Sequence, residues 1–218
     1  MPPALGVGIQ LTRGKHKDRL VIPCDHSQQI DGKRVMFSHV FFSDDHGKTW
    51  KLGGTVDQHT DECQVVELSD GTLMMNMRNY WGRDGKQLDK DKMRAVALSR
   101  DGGVSWGKLR FDQTLIEPIC QGSFLRYATK GSDGPDRLLF SNPASKAKRE
   151  RLTVRLSHDD GKTWPAATLL HKGPSAYSCL TVLSDGSIGC LYEGGVKSAY
   201  EKIIFARFSL TSLSQEKG

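Results

Sequence analysis

Three aspartates stand at matching places in three near-identical octapeptides: SDDHGKTW over residues 43–50, SRDGGVSW over 99–106 and SHDDGKTW over 157–164. All fit S-x-D-x-G-x-[ST]-W, and their starts lie 56 and 58 residues apart. A carboxylate can serve as acid, base or nucleophile, but this spacing favours a different task. Inside one tight turn the aspartate accepts backbone N–H groups across the loop, and glycine supplies a positive φ at no steric cost. The Ser or Thr hydroxyl closes further local bonds, and the tryptophan is expected to pack each hairpin against its neighbour. Asp45, Asp101 and Asp159 are therefore read as structural.

Other chemistry-bearing residues form no recognised constellation. The seven histidines (16, 26, 39, 46, 59, 158 and 171) show no metal-ligand spacing. There is no H-E-x-x-H and no G-x-x-x-x-G-K-[ST], and Gly6-Val7-Gly8 lacks the third glycine of a dinucleotide loop. No metal and no cofactor is implied. Five cysteines, odd in number and without a C-x-x-C pair, suggest neither a disulfide framework nor a zinc site. None of the three asparagines begins an N-x-[ST] sequon. Both features lean towards a reducing compartment. The formal charge of +6 would suit an acidic partner, nucleic acid or an acidic sugar. The positive residues are scattered, however, and the one dense cluster (Lys146, Lys148, Arg149, Arg151) also reads as a solvated basic surface.

The elements that must position any site read as strands. RLVIP, VMFSHVFFS, CQVVEL, TLMMNMR, RAVALS, RLLFS, LTVRLS, SCLTVL, SIGCLYE and KIIFARFSL are β-branched, aromatic or alternating. Turns such as Ser69-Asp70-Gly71 and Ser184-Asp185-Gly186 separate them. No segment keeps a helical period, and no apolar run approaches the roughly 20 residues of a membrane helix. The opening MPPALGVGIQL is not a signal peptide. A repeat of about 50 residues holding about four strands is the signature of a β-propeller blade. The expectation is an all-β propeller of about four blades, with the octapeptides on equivalent turns away from the site. An open ring of that size exposes strand edges, so a partner or a further segment is expected to close it.

The octapeptide resembles the Asp-box of the sialidase (neuraminidase) family. The resemblance runs from about residue 6 to residue 210, carried by DECQVVELSDGTLMMNMRN, FSNP, LTVRLSHDDGKTW, GPSAYS and LYEGG. It implies a six-bladed propeller that releases terminal sialic acid from glycoconjugates with retention of configuration. The family nucleophile, a tyrosine assisted by a glutamate, maps onto Tyr177 of GPSAYS and Glu62 of DECQVVEL. A neutral phenol avoids the repulsion that a carboxylate would meet from the acid group of sialic acid, but it needs a base to take its proton. The arginine triad that grips the substrate carboxylate through planar forks maps in part onto Arg78 of MMNMRN and onto Arg149, with Arg151 the nearest competitor. Glu193 of LYEGG matches a glutamate that orients the first arginine of the triad.

That first arginine, in an F/Y-R-I-P segment, has no counterpart; Arg13 and Arg19 lack the context. The acid/base aspartate lacks one too, Asp25 and Asp31 being poor matches. The resemblance thus implies a single domain over 1–218 short of its N-terminal blades, acting on sialylated glycans in the cytoplasm or a lysosome, with no nucleic acid and no membrane span. The competing reading is a non-catalytic Asp-box propeller that binds sialoglycans or proteins. Retention of both Tyr177 and Glu62 favours the enzymatic lineage.

Overall fold

The computed structural model describes residues 7–81, 92–127 and 137–213. The chain divides into two compact units, Met1–Gln113 and Thr114–Gly218. In the first, β1 (Ile9–Gln10), β2 (Leu20–Ile30), β3 (Lys33–Ser43) and β4 (Lys51–Thr55) form one four-stranded sheet in chain order. A second sheet runs through β5 (Thr60–Glu67), β6 (Leu73–Asn79), β7 (Met93–Ser99) and β8 (Arg110–Ile116), again in chain order. The two pack face to face. Val21, Val40 and Phe42 of one meet Cys63, Val65, Met75, Met77, Ala95 and Ala97 of the other in a single apolar core. Polar bonds cross the same seam: the Ser38 hydroxyl donates to the Asp61 carbonyl, and the Ser38 N–H to the Thr60 hydroxyl.

The second unit holds β9 (Ser123–Tyr127), β10 (Arg137–Pro143), β11 (Glu150–Ser157), β12 (Ala166–Val182), β13 (Ile188–Gly194) and β14 (Lys202–Phe208). Its sheet order is β14-β13-β12-β11-β10-β9. The 17-residue β12 pairs with β11 up to Pro174 and with β13 from Ser175 onward. It therefore closes one four-stranded meander and opens another. The only helix among the described residues is the 3-10 turn Leu210–Ser212. The alternation read from the sequence survives as burial: Leu180, Ile188, Cys190 and Tyr192 point into the core.

Every octapeptide joins the third strand of a meander to its fourth: β3 to β4, β7 to β8 and β11 to β12. Equivalent turns were expected, and the internal bonding is the same in all three. The carboxylate Oδ1 of Asp45, Asp101 and Asp159 accepts the N–H of the residue four positions on at 2.8, 2.9 and 2.9 Å. The Ser43, Ser99 and Ser157 hydroxyls donate to the same oxygens at 2.8, 2.7 and 2.8 Å. Gly47, Gly103 and Gly161 adopt φ of 86°, 91° and 75°, the left-handed region that a side chain would resist. The bonds from Thr49 and Ser43 hold the Asp45 carboxyl down to about 2. A carboxylate so fully used is a fixed anion with no proton to exchange, which is why these groups stabilise turns.

The tryptophans depart from the expectation in one case. Trp164 is buried between Phe124 and Phe140, and Trp106 lies against the core of the first unit. Trp50 is 42% exposed and folds back on its own loop, donating its indole N–H to the Gly47 carbonyl.

Candidate active site

The candidate residues fall into two groups, one in each unit, and both rest on the same strand geometry. Glu62 and Arg78 lie eight residues either side of Asp70, the central residue of the β5–β6 turn; Tyr177 and Glu193 lie eight either side of Asp185, in the β12–β13 turn. Each pair lies just beyond the last regular rung, Cys63–Met77 or Ser178–Tyr192, where the register shifts. A bulge precedes each, between Thr60 and Cys63 and between Ser175 and Ser178. Bulges re-aim side chains at the end of a ladder, and here they bracket Glu62 and Tyr177. The octapeptide ends lie elsewhere. Ser99 pairs with Leu73 and Ser157 with Leu138, so Arg78 and Arg149 sit at the opposite ends of their sheets.

In the first unit the Arg78 guanidinium donates to Glu62 at 2.8 Å, lies 3.7 Å from Asp61 and stacks 5.0 Å over the Tyr80 ring. The Arg78 and Glu62 side chains are only 12% and 14% exposed, which lengthens the reach of every charge nearby. Burial alone would lower the Arg78 pKa, but the Glu62 charge and its hydrogen bond raise it, so this cation is permanent. Burial drives Asp61 the other way, upward, against the pull of Arg78. Asp25, on β2 opposite Ser38, belongs to the same cluster. Burial, then Asp61 and Glu62, push its carboxyl up to about 6. Three carboxyls thus share one adjacent guanidinium, and burial together with their mutual repulsion raises the proton affinity of Asp25.

The sign of the resulting pH dependence is fixed. Asp25 titrates near 6 in the folded chain and near 4 in an unfolded one. The native state binds more protons between those values, so stability falls as pH rises from about 4 to about 6. Asp25→Asn, neutral at every pH, is expected to flatten that part of the curve and to be the more stable protein at pH 7. Urea denaturation at pH 4, 5, 6 and 7 measures it. A wild-type midpoint that climbs over this window would contradict the assignment.

In the second unit the Tyr177 backbone N–H donates to the Glu193 carboxylate at 3.0 Å. Glu193, expected to orient an arginine, here fixes the tyrosine's backbone at the bulge. The Arg149 guanidinium lies 5.7 Å from the Tyr177 ring centre and donates to the Tyr200 hydroxyl at 2.7 Å and to the Ile119 carbonyl at 3.1 Å. Ala176, Cys120 and Ala199 form the apolar floor against which Tyr177 packs. Arg151, the competitor, sits exposed at positive φ on the β11 bulge and joins none of these contacts. Tyr200, Ile119, Tyr80 and Asp61 were not singled out from sequence, and Asp25 was weighed there only as a poor match for the acid/base. Only Tyr80 carried a usable signal, standing two residues beyond Arg78 at the period that shares a strand face.

The remaining arginines considered are structural. Arg19 is buried over the Phe42 ring, paired with Asp44 at 2.7 Å and donating to the Gly102 carbonyl. The Arg13 guanidinium donates to the Leu68 carbonyl at 3.3 Å. All five cysteines are free.

Residues 4–190 match the family model described as a BNR repeat-like domain. A sialidase of Micromonospora viridifaciens is 38% identical over 99% of this chain, and one of Bacteroides fragilis 36% over 88%. The chain belongs to the sialidase family. It spans about a third of those two relatives, 33% of each. Among solved structures, a Hadza microbial sialidase superposes with a TM-score of 0.75 at 33% identity, over 94% of this chain and 37% of that one. A leech intramolecular trans-sialidase at 24% identity shares the fold, with a TM-score of 0.76 over 97% of this chain and 32% of its own. The four-stranded meanders thus correspond to blades of the sialidase-type propeller fold.

Proposed function

We propose that this chain carries part of the machinery of a retaining exo-sialidase, a glycoside hydrolase that releases terminal sialic acid from glycoconjugates. In this reading Tyr177 is the nucleophile, Glu62 the base that takes its proton, and Arg78 and Arg149 the donors to the substrate carboxylate. Glu193 positions Tyr177 through its backbone. The observation that carries the reading is the grouping of Tyr177, Arg149 and Glu193, in which a phenol stands beside a guanidinium and is pinned at a bulge. A guanidinium suits the carboxylate of sialic acid, and a neutral phenol suits attack on the carbon that bears it. Identity to curated sialidases lends support.

The test is hydrolysis of an aryl sialoside with a good leaving group. Such a substrate needs little general-acid assistance, a contribution of roughly 10²–10⁴-fold when the leaving oxygen is basic. The assay therefore isolates the nucleophilic half of the reaction. Release of the aryl alcohol, with α-sialic acid as the first product seen by NMR, is the expected result. A folded chain that binds sialoside and never turns it over would favour the non-catalytic binding module.

A further inference from the structure

The first two octapeptides differ at a position that the motif leaves free. Between its serine and its aspartate the first carries Asp44, the second Arg100. Asp44 balances the cations around it, accepting from Arg19 at 2.7 Å and lying 3.8 Å from Lys51. Arg100 is exposed, and no carboxylate among the described residues lies within ion-pairing distance of it. The same holds for Lys15, Lys108 and Arg110.

These cations converge because Arg100 is shared by two open cavities of the first unit. One, of about 420 Å³, is lined by Arg100, Trp106, Lys108 and Arg110 among others. The Gly107 N–H donates to the Leu98 carbonyl at 2.8 Å, which sets Lys108 and Arg110 beside the strand that ends at Arg100. The other cavity, of about 290 Å³, is lined by Arg13, Lys15, His16, Asp70 and Arg100 among others. Its basic wall is the β1–β2 connection, which is built rather than loose. The Leu11 N–H donates to the Arg19 carbonyl at 2.9 Å, and the Thr12 and Arg13 N–H groups donate to the Glu67 carboxylate at 2.8 and 3.0 Å.

Five cations, Arg13, Lys15, Arg100, Lys108 and Arg110, thus line the two cavities together with one carboxylate. That carboxylate, Asp70, already accepts the Thr72 N–H at 2.9 Å. His16 reports the resulting field: burial, then Arg19 and Lys15, lower its pKa against the pull of Asp44 and Asp101. A concave surface lined by one sign of charge concentrates ions of the other. Guanidinium forks match the paired oxygens of a sulfate ester, and the Trp106 wall offers an apolar face to a sugar ring. Charge density selects the ligand. So many cations along one short groove suit several anionic groups on a few sugars, which a sulfated saccharide carries and a chain ending in a single sialic acid does not.

We propose that the groove from Lys15 past Arg100 to Arg110 is a binding site for a sulfated oligosaccharide, at the end of the β5–β8 sheet opposite Arg78. None of its residues takes part in the hydrolysis proposed above, so either can fail without the other.

The probe is a sulfated heparin hexasaccharide added to the intact chain at low salt, with its desulfated counterpart and a short oligothymidylate for comparison. Calorimetry is expected to show binding of the sulfated sugar and at least about tenfold weaker binding of the other two. Arg100→Ser combined with Lys108→Ser should weaken it at least about tenfold, the loss of charge-assisted contacts. Lys162→Ser combined with Lys202→Ser removes the same charge from other exposed positions and should change it less than about twofold. Circular dichroism checks that each variant folds. The His16 ring, followed by NMR, adds a local readout: bound sulfate beside it should raise its pKa by about half a unit or more. Equal weakening by the two double variants would mean attraction to net charge alone and overturns the proposal. So does a His16 pKa that the hexasaccharide leaves unchanged, or oligothymidylate binding as tight as the sulfated sugar.

Discussion

Replacing Tyr177 by phenylalanine is expected to lower aryl sialoside hydrolysis by at least about 10³-fold, the loss typical when a covalent nucleophile is removed. The substitution deletes one oxygen and little else. The ring keeps its place beside Arg149 and on the floor of Ala176, Cys120 and Ala199. The backbone N–H that Glu193 accepts is the same in both proteins. Circular dichroism and the urea midpoint should therefore stay close to wild type while turnover disappears. If the phenol acts only as a binding group, KM would rise and kcat would survive; for a nucleophile, kcat collapses. Equal rates in the two folded proteins would remove Tyr177 from the chemistry.

The parts of this molecule that were legible in its sequence are those fixed by local bonding. Each octapeptide closes on itself within a few residues, so its turn, its glycine φ and the fate of its aspartate follow from the motif alone. The Glu62–Arg78 and Tyr177–Glu193 pairs were partly legible. The two S-D-G turns fix a register, and counting outward from each reaches the pairs, although the bulges that aim them leave no mark in the residue types. The carboxyl cluster was not legible. Asp25 meets Asp61 and Glu62 because β2 of one sheet packs on β5 of the next, over an intervening hairpin, and no local spacing encodes that. The His26–His39 contact, 3.0 Å between Nδ1 atoms on neighbouring strands, is similar. It is set by the β2–β3 register, whereas the histidine spacing along the chain carries no pattern. Trp50 shows the converse: the motif is intact, but its ring lies over its own loop instead of in a core.

The second large effect concerns Arg78, which the cluster needs for stability as well as for any role with substrate. Arg78→Leu removes the cation and leaves Asp61, Glu62 and Asp25 to face one another in a poorly solvated seam. Breaking a buried pair by deleting one partner costs about 3–5 kcal/mol, and the slight exposure of both side chains places this one at the low end, about 3 kcal/mol at pH 7. The loss should shrink in acid. Arg78 lowers the pKa of both Asp25 and Asp61, so without it their folded values rise further above the unfolded ones. The variant's native state then binds more protons than its unfolded state across that window, and its stability falls as pH rises through it. Between pH 7 and pH 4 the gap to wild type should therefore narrow, as protons replace the missing guanidinium. Arg78→Lys separates the two roles. An ammonium restores the charge, so most of the stability should return, but it lacks the planar fork that donates two parallel bonds to a carboxylate. Its expected signature is a near-native urea midpoint with a KM for aryl sialoside raised about tenfold or more, the loss of one charge-assisted hydrogen bond. A leucine variant equally destabilised at pH 4 and pH 7 would show that Arg78 contributes through packing alone, and a lysine variant with unchanged KM would remove it from carboxylate recognition.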